Sequence, residues 1–246
     1  MEEFLEELSL NAWPAIRQVH YDNWVLRFAG GHTRRSNSVN VLGASAISLD
    51  EKIAYCESAY QRAGLPAIFK FAGIPGTEEL EEELKKRGYE FEAPTLVMTC
   101  DHLSASQVAN PEFRYEPELT REWFEMVTRF TCIDESRKGD LDQILQNIVP
   151  NRCFGCMYLS NQPASIGIAV AERNWLGLFD IVTAPEFRRR GLGTNLIRSL
   201  MGWGQTHGAY SAYLQVVEEN QTAISLYESL GFEPRYHYWY RTKRWN

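Results

Sequence analysis

The 246-residue sequence lacks long hydrophobic runs and a cysteine framework. No apolar run approaches the roughly 18–20 residues that a membrane-spanning helix needs. The N-terminus carries Glu2, Glu3, Glu6 and Glu7, the opposite of the basic start of a secretory leader. Only five cysteines occur, an odd number without disulfide-type spacing, which favours reduced thiols. These absences predict a cytoplasmic protein with no membrane partner.

An excess of positive charge is also lacking. The formal net charge is −7, and no basic stripe occurs outside one short loop, so we expect no nucleic-acid partner. His, Cys and Asp do not cluster at metal-ligand spacing, so no metal is implied. Hydrophobic residues make up 44% of the chain, which is ample for one large or two small domains.

The short basic loop is the most informative segment of the sequence. It follows an apolar run at 176–183 and opens into a helical pattern. Backbone N–H groups at a helix start have no partner within the helix, and the helix dipole favours an anion there. The two glycines let a phosphate approach the backbone. The loop consists of Arg188, Arg189, Arg190, Gly191, Leu192, Gly193 and Thr194.

A second motif lies downstream. Residues 212–217 are predicted to form a strand, Asn220 is predicted to cap a short helix, and Gly231 to end it. The sequence from Asn220 has the form Asn-x-x-Ala-x-x-Leu-Tyr-x-x-Leu-Gly-Phe.

With the loop, this motif makes residues 113–246 resemble the GNAT superfamily of N-acetyltransferases, which use acetyl-CoA as a co-substrate. The resemblance implies an α/β (α+β) chain with the acyl-CoA N-acyltransferase fold, in which helices flank a mixed sheet and two central strands splay apart. Predicted helices span 121–130, 140–148, 194–205 and 221–230, and predicted strands span 153–159, 165–171, 176–183, 212–217 and 236–241.

The same resemblance implies roles for individual residues. Backbone groups of Ile181, Val182 and Thr183 would contact the acetyl and pantetheine portions. The loop 188–194 would wrap the diphosphate, Asn220 would face the coenzyme, and Tyr227 would protonate the departing thiolate. Because Tyr227 also lies on the apolar stripe of its helix, packing in the core is the alternative.

The general base is less defined by the sequence. Ribosomal-protein N-terminal acetyltransferases of this superfamily carry a glutamate where Gln215 stands, and glutamine cannot take a proton. Asp180, on the strand expected to flank the thioester, is the best remaining carboxylate. A purely structural role for Asp180, a base at Glu172, Asp134 or Glu135, a water relay, and no single base stay open.

The sequence contains an internal repeat that relates its two halves. Sliding the sequence along itself until Gly88-Tyr89 falls on Gly231-Phe232 aligns the predicted elements almost without gaps. We therefore predict two related copies in tandem, a degenerate N-terminal domain (1–100), a linker (101–112) and a catalytic domain (113–246). Because Ser48 and Asp50 match the two loop glycines, a carboxylate is expected to replace the phosphate site of the first copy.

A polar cluster in the first copy has two interpretations. It follows a predicted strand at 24–28 and a Gly30-Gly31 turn. The cluster could line an acceptor pocket between the halves, or it could brace the turn through local hydrogen bonds. Its members are Arg34, Arg35, Asn37 and Ser38.

The sequence thus favours an acetyl-CoA-dependent N-acetyltransferase. A non-catalytic acyl-CoA-binding or sensing module is the main alternative, and a scaffold without a coenzyme site is a third. The acceptor, a small-molecule amine or a peptide or protein amine, is left open. So is the oligomeric state, with a homodimer as one option.

Overall fold

Seven α-helices, one short 3-10 helix (Pro185–Phe187) and eleven strands form in the part of the chain that the computed structural model describes, residues 1–73, 75–103, 110 and 112–245. The helices are α1 (Glu2–Ala12), α2 (Leu49–Arg62), α3 (Glu78–Lys86), α4 (Arg121–Thr131), α5 (Glu135–Gln146), α6 (Leu192–Thr206) and α7 (Gln221–Glu228). The strands are β1 (Arg17–Tyr21), β2 (Trp24–Phe28), β3 (Val39–Val41), β4 (Ala67–Phe71), β5 (Glu90–Cys100), β6 (Phe113–Glu116), β7 (Asn151–Leu159), β8 (Gln162–Glu172), β9 (Trp175–Thr183), β10 (Ser211–Val217) and β11 (Glu233–Lys243).

Polar residues begin several of these helices. The side chains of Ser48, Thr120 and Asn220 each accept a hydrogen bond from a backbone N–H in the first turn of α2, α4 and α7. The α5 helix begins after Asp134, earlier than the predicted start at 140. Within the described ranges, every helix is either too short or too polar to cross a lipid bilayer.

All eleven strands belong to one mixed sheet, in the order β1-β2-β3-β4-β11-β5-β10-β9-β8-β7-β6. The two halves exchange their last strands within it. The N-terminal strand β5 pairs with β10, from Cys100 opposite Ala212 to Thr95 opposite Val217. The C-terminal strand β11 pairs with β4 of the first half. Each half therefore completes the sheet of the other.

The strand bounds repeat between the halves. The alignment that places Gly88-Tyr89 on Gly231-Phe232 also carries Glu90–Cys100 onto Glu233–Lys243, the limits of β5 and β11. It carries the start of α2 onto the start of α6 as well. The prediction of two related copies is confirmed. Of the predicted linker, residues 104–109 and 111 lie outside the described residues, and the domain boundaries stay a prediction.

Helix α1 packs across the boundary between the halves. Its buried Leu5 and Leu8 share a core cluster with Trp123 of α4 and Ile144 of α5. Full burial of each leucine contributes about 1.5–3 kcal/mol. Helices α6 and α7 contribute to a second cluster, with Leu200 and Ile224. The first-half helix α1 is therefore fixed beside β9, where the site described below lies.

Residues 112–246 expressed without the first half should not fold cooperatively. Without β5, the backbone groups of β10 and β11 that pair with it lose their partners. The measurement is thermal unfolding followed by circular dichroism. As the control, fragments 1–103 and 112–246 expressed together should co-purify and melt cooperatively. A cooperative, full-length-like melt of the lone fragment would contradict strand exchange as a folding requirement.

Candidate active site

A wedge-shaped opening forms where β9 separates from β10. The two strands pair in parallel only from Trp175 opposite Ser211 to Leu178 opposite Leu214. A bulge in β9 follows, since its register with β8 shifts there, and Asp180 adopts a left-handed φ of 47°. The predicted splaying of two central strands is therefore present in this sheet.

One wall of the opening is the end of β9. Ile181, Val182 and Thr183 are half-buried there, beyond the last residue that pairs with β10. Ser165 fixes this stretch from the other side, because its hydroxyl donates to the Val182 carbonyl over 3.0 Å. Backbone N–H and C=O groups on the open side of β9 are thus held rigidly without a ladder partner among the described strands.

The basic loop lies at the mouth of the opening. Arg189 and Gly191 have left-handed φ values of 59° and 75°, the kind of backbone that forms an anion-binding nest. The first hydrogen bond of α6 runs from Asn195 N to Gly191 O over 3.0 Å. The N–H groups from 191 to 194 precede that bond and donate to no described residue, so they can face an anion. Arg188, Arg189 and Arg190 are exposed around them.

Contacts at Gly193 bring three elements together. A side chain built there would meet Thr183 Oγ1 at 3.5 Å and Leu226 Cδ2 at 3.8 Å. The end of β9, the start of α6 and helix α7 therefore converge. Leu192, the first residue of α6, is buried and anchors the loop, while Thr194 is half-buried.

Helix α7 supplies two of the predicted site residues. Asn220 caps it, because its Oδ1 accepts a hydrogen bond from Ala223 N over 3.1 Å. Tyr227 is only 9% exposed and packs edge-on against Phe232. Its hydroxyl makes no hydrogen bond to the described residues, yet it is not among their fully buried, unpaired polar atoms. Burial raises the pKa of Tyr227 to about 12, so the phenol stays neutral at physiological pH.

Asp180 faces the first half of the chain. Its Oδ1 lies 3.9 Å from Arg35 Nη2, and each side chain is 23% exposed. Burial raises the pKa of Asp180 above its ordinary value, and the Arg35 charge opposes that rise. A carboxylate with a raised pKa beside a cleft fits a proton acceptor.

Different members of the polar cluster in the first half have different roles. Asn37 is buried and braces the turn, accepting from Ala29 N and Gly31 N over 2.8 and 3.0 Å. Ser38 is also buried, and Arg34 pairs with Glu92. Arg35 alone reaches the C-terminal site residues. Trp13, on which Arg35 stacks at 4.6 Å, carries no sequence signal that would have identified it.

Gln215 takes part in a structural hydrogen-bond network. Its Nε2 donates to Ser9 Oγ over 2.9 Å, and its Oε1 accepts from Tyr238 OH over 3.2 Å. Both amide atoms are therefore engaged between α1 and β11.

The first half carries the loop equivalent to 188–194, but a carboxylate occupies it. Asp22 accepts hydrogen bonds from Ala46 N and Ile47 N, each over 2.9 Å. These donors hold the pKa of Asp22 below its ordinary value. Lys52 Nζ lies 3.2 Å from the same carboxylate. The expected carboxylate is therefore present, but it is Asp22 and not Asp50, which pairs with Arg87 from the first turn of α2.

Comparisons with known proteins point to one family. Residues 3–241 match the family model described as "Probable histone acetyltransferase Rv0428c C-terminal". The chain is 31% identical over 244 residues to "Uncharacterized N-acetyltransferase YobR" of Bacillus subtilis, covering 98% of each chain.

Solved structures share the fold. A GCN5-related N-acetyltransferase from Kribbella flavida superposes with a TM-score of 0.70 at 14% identity, covering 100% of this chain and 96% of that one. A tandem GNAT protein from the clavulanic acid biosynthesis pathway superposes with a TM-score of 0.62 at 12% identity, covering 85% and 76%.

We predict that Asp180 titrates above a typical aspartate and that Arg35→Gln raises its pKa further, because the substitution removes the charge that favours the ionised form. Carboxyl-carbon NMR against pH measures this, with Asp180→Asn assigning the signal. Arg34→Gln, one residue away but paired with Glu92, is the matched control. Equal shifts in the two arginine variants would contradict the pairing.

Proposed function

Because the chain belongs to the GNAT superfamily of N-acetyltransferases, in the Rv0428c C-terminal family, we propose that it transfers an acetyl group from acetyl-CoA to a primary amine. One observation carries the proposal: the opening between β9 and β10 ends at unpaired helix N–H groups ringed by arginines. An elongated ligand with a diphosphate at one end matches that combination.

The coenzyme residues follow from this arrangement. The N–H groups of Gly191, Leu192, Gly193 and Thr194 take the diphosphate, and Arg188, Arg189 and Arg190 add positive charge. The pantetheine arm hydrogen-bonds to the open backbone edge of Ile181, Val182 and Thr183. Asn220, which begins the neighbouring helix, borders the arm.

Acetyl transfer requires a neutral amine. A lysine-like amine with a pKa near 10.4 is neutral in only about one molecule in 2,500 at pH 7. We assign Asp180 as the group that accepts the amine proton, since a carboxylate whose pKa is raised by burial is a stronger base. The amine nitrogen bonds to the thioester carbon, the carbon–sulfur bond breaks, and sulfur leaves with the electron pair.

Tyr227 is assigned to the departing sulfur. A phenol with a pKa of about 12 is a weaker acid than a thiol with a pKa near 8.5. Its contribution is therefore a hydrogen bond that strengthens as negative charge develops on sulfur, with the proton finally supplied to the thiolate from Tyr227 or solvent. The unpaired hydroxyl at the edge of the core supports this role.

The acceptor is the least defined component. The family description names a histone acetyltransferase, so protein lysines belong in any acceptor panel beside small amines and peptide N-termini. Thiol release from acetyl-CoA with such a panel tests the function. Coenzyme binding without thiol release from any amine would instead favour an acyl-CoA sensor.

Substituting Gly191 with valine should weaken coenzyme A binding about 10- to 100-fold. The left-handed φ disfavours a β-branched side chain, and one or two charged hydrogen bonds to the diphosphate would be lost. Isothermal titration calorimetry measures the affinity. Gly208→Val is the control, because Gly208 is also left-handed, with a φ of 84°, but lies about 22 Å away at the far end of α6. Unchanged affinity in Gly191→Val would show that the loop does not bind the diphosphate of coenzyme A.

Tyr227→Phe should lower kcat about 10²-fold while leaving coenzyme affinity unchanged, because a hydrogen bond formed mainly in the transition state is removed. Steady-state thiol release and calorimetry provide the two readouts. An unaltered kcat would show that the Tyr227 hydroxyl takes no part in catalysis and that the side chain only packs in the core.

A further inference from the structure

The Arg35 guanidinium is the first-half group that reaches the candidate proton acceptor. At 3.9 Å, its distance to Asp180 allows charge attraction but exceeds hydrogen-bond length. Arg35 donates no side-chain hydrogen bond to any described residue, although its side chain is only 23% exposed. Up to five N–H donors therefore remain available on a side chain that is mostly buried.

Neighbouring arginines differ from Arg35 in this respect. Arg27 donates to the carbonyl oxygens of Arg35, Leu10 and Trp13 over 2.6–3.2 Å. Arg34 donates to Glu92 over 3.0 Å. Among these three arginines, Arg35 is thus the one whose side chain donates no hydrogen bond to a described residue.

The Arg35 guanidinium is also held in place before any ligand binds. It stacks on Trp13 at 4.6 Å and lies 5.7 Å from the Phe179 ring. Trp13 is fixed in turn, because its Nε1 donates to Thr33 Oγ1 over 3.0 Å. A stacked, planar guanidinium loses little freedom on binding a carboxylate, so it is suited to two-pronged recognition.

Charges of both signs surround this guanidinium. Arg27 and Arg35 are close enough that each cation disfavours the other, and Arg137 and Arg35 both lower the pKa of His32. Asp180 and Asp140 are the nearby carboxylates on the C-terminal side, and Glu6 contributes from α1. Because these three carboxylates only balance the three arginines, no net negative charge opposes an anionic group that approaches Arg35.

The geometry points to an acceptor that carries a carboxylate next to its amine: Arg35 binds the carboxylate while Asp180 faces the amine. This inference rests on the proposed acetyl transfer. In an α-amino acid both groups sit on one carbon, so its dipole can lie antiparallel to the Arg35–Asp180 pair and satisfy both side chains at once. The substrate class is therefore amino acids and related zwitterions.

The test compares each α-amino acid with the amine left by removing its carboxylate, for example alanine with ethylamine and phenylalanine with phenethylamine. In the wild-type protein, kcat/KM should favour the amino acid at least tenfold in the best pair. Arg35→Gln should abolish that preference, mainly by raising KM about 10- to 100-fold. Arg35→Lys should restore it in part, and Arg34→Gln should keep it.

Different failures separate the two proposals. Turnover without any preference for the carboxylate, or equal loss in Arg34→Gln and Arg35→Gln, overturns the inference and leaves acetyl transfer intact. If no amine releases thiol, acetyl transfer fails, and calorimetric titration of the amino acids decides the inference. Binding that Arg35→Gln abolishes and Arg34→Gln preserves upholds the carboxylate site, while no binding overturns it.

Discussion

The exchange of last strands between the two halves sets the shape of the sheet and the position of the candidate site. With β5 hydrogen-bonded along one edge of β10, β10 is held in the sheet while the bulge turns β9 away from it. The opening is therefore a fixed part of the sheet. The exchange also places α1 and the 29–37 turn beside the C-terminal half. There Trp13 stacks on Phe179, and Arg35 lies near Asp180.

The two copies differ in how each satisfies the N–H groups of its loop. In the first copy Asp22 accepts from Ala46 and Ile47, and Lys52 balances its charge. A phosphate would have to displace a carboxylate that is tethered to the same chain and always present. In the second copy Arg189 and Arg190 occupy the aligned positions, and no described carboxylate accepts from their N–H groups or from those of 191–194. This difference is a physical reason to propose the coenzyme site in the second copy and not in the first.

The sequence predicted the local features well and the long-range ones poorly. The loop at 188–194, the Asn220 cap and the internal repeat depend on neighbouring residues or on one alignment, and the structure has all three. The strand exchange joins β4 to β11, which lie in opposite halves of the chain, and nothing in either strand encodes its partner. The same holds for Asp22, which the alignment missed because it lies far ahead of its loop, between β1 and β2. Arg35 was one of four polar residues, and only the fold separates it from the turn-bracing Asn37.

We propose that each chain binds one coenzyme, in its C-terminal half. A crystal structure of the protein grown with coenzyme A tests this most directly. We expect the diphosphate on the N–H groups of residues 191–194 and the pantetheine arm along 181–183, with Asp22 still bound to its own loop. A coenzyme whose diphosphate lies on the Ala46–Ile47 loop, or a 188–194 loop that holds none at saturating concentration, would contradict that claim.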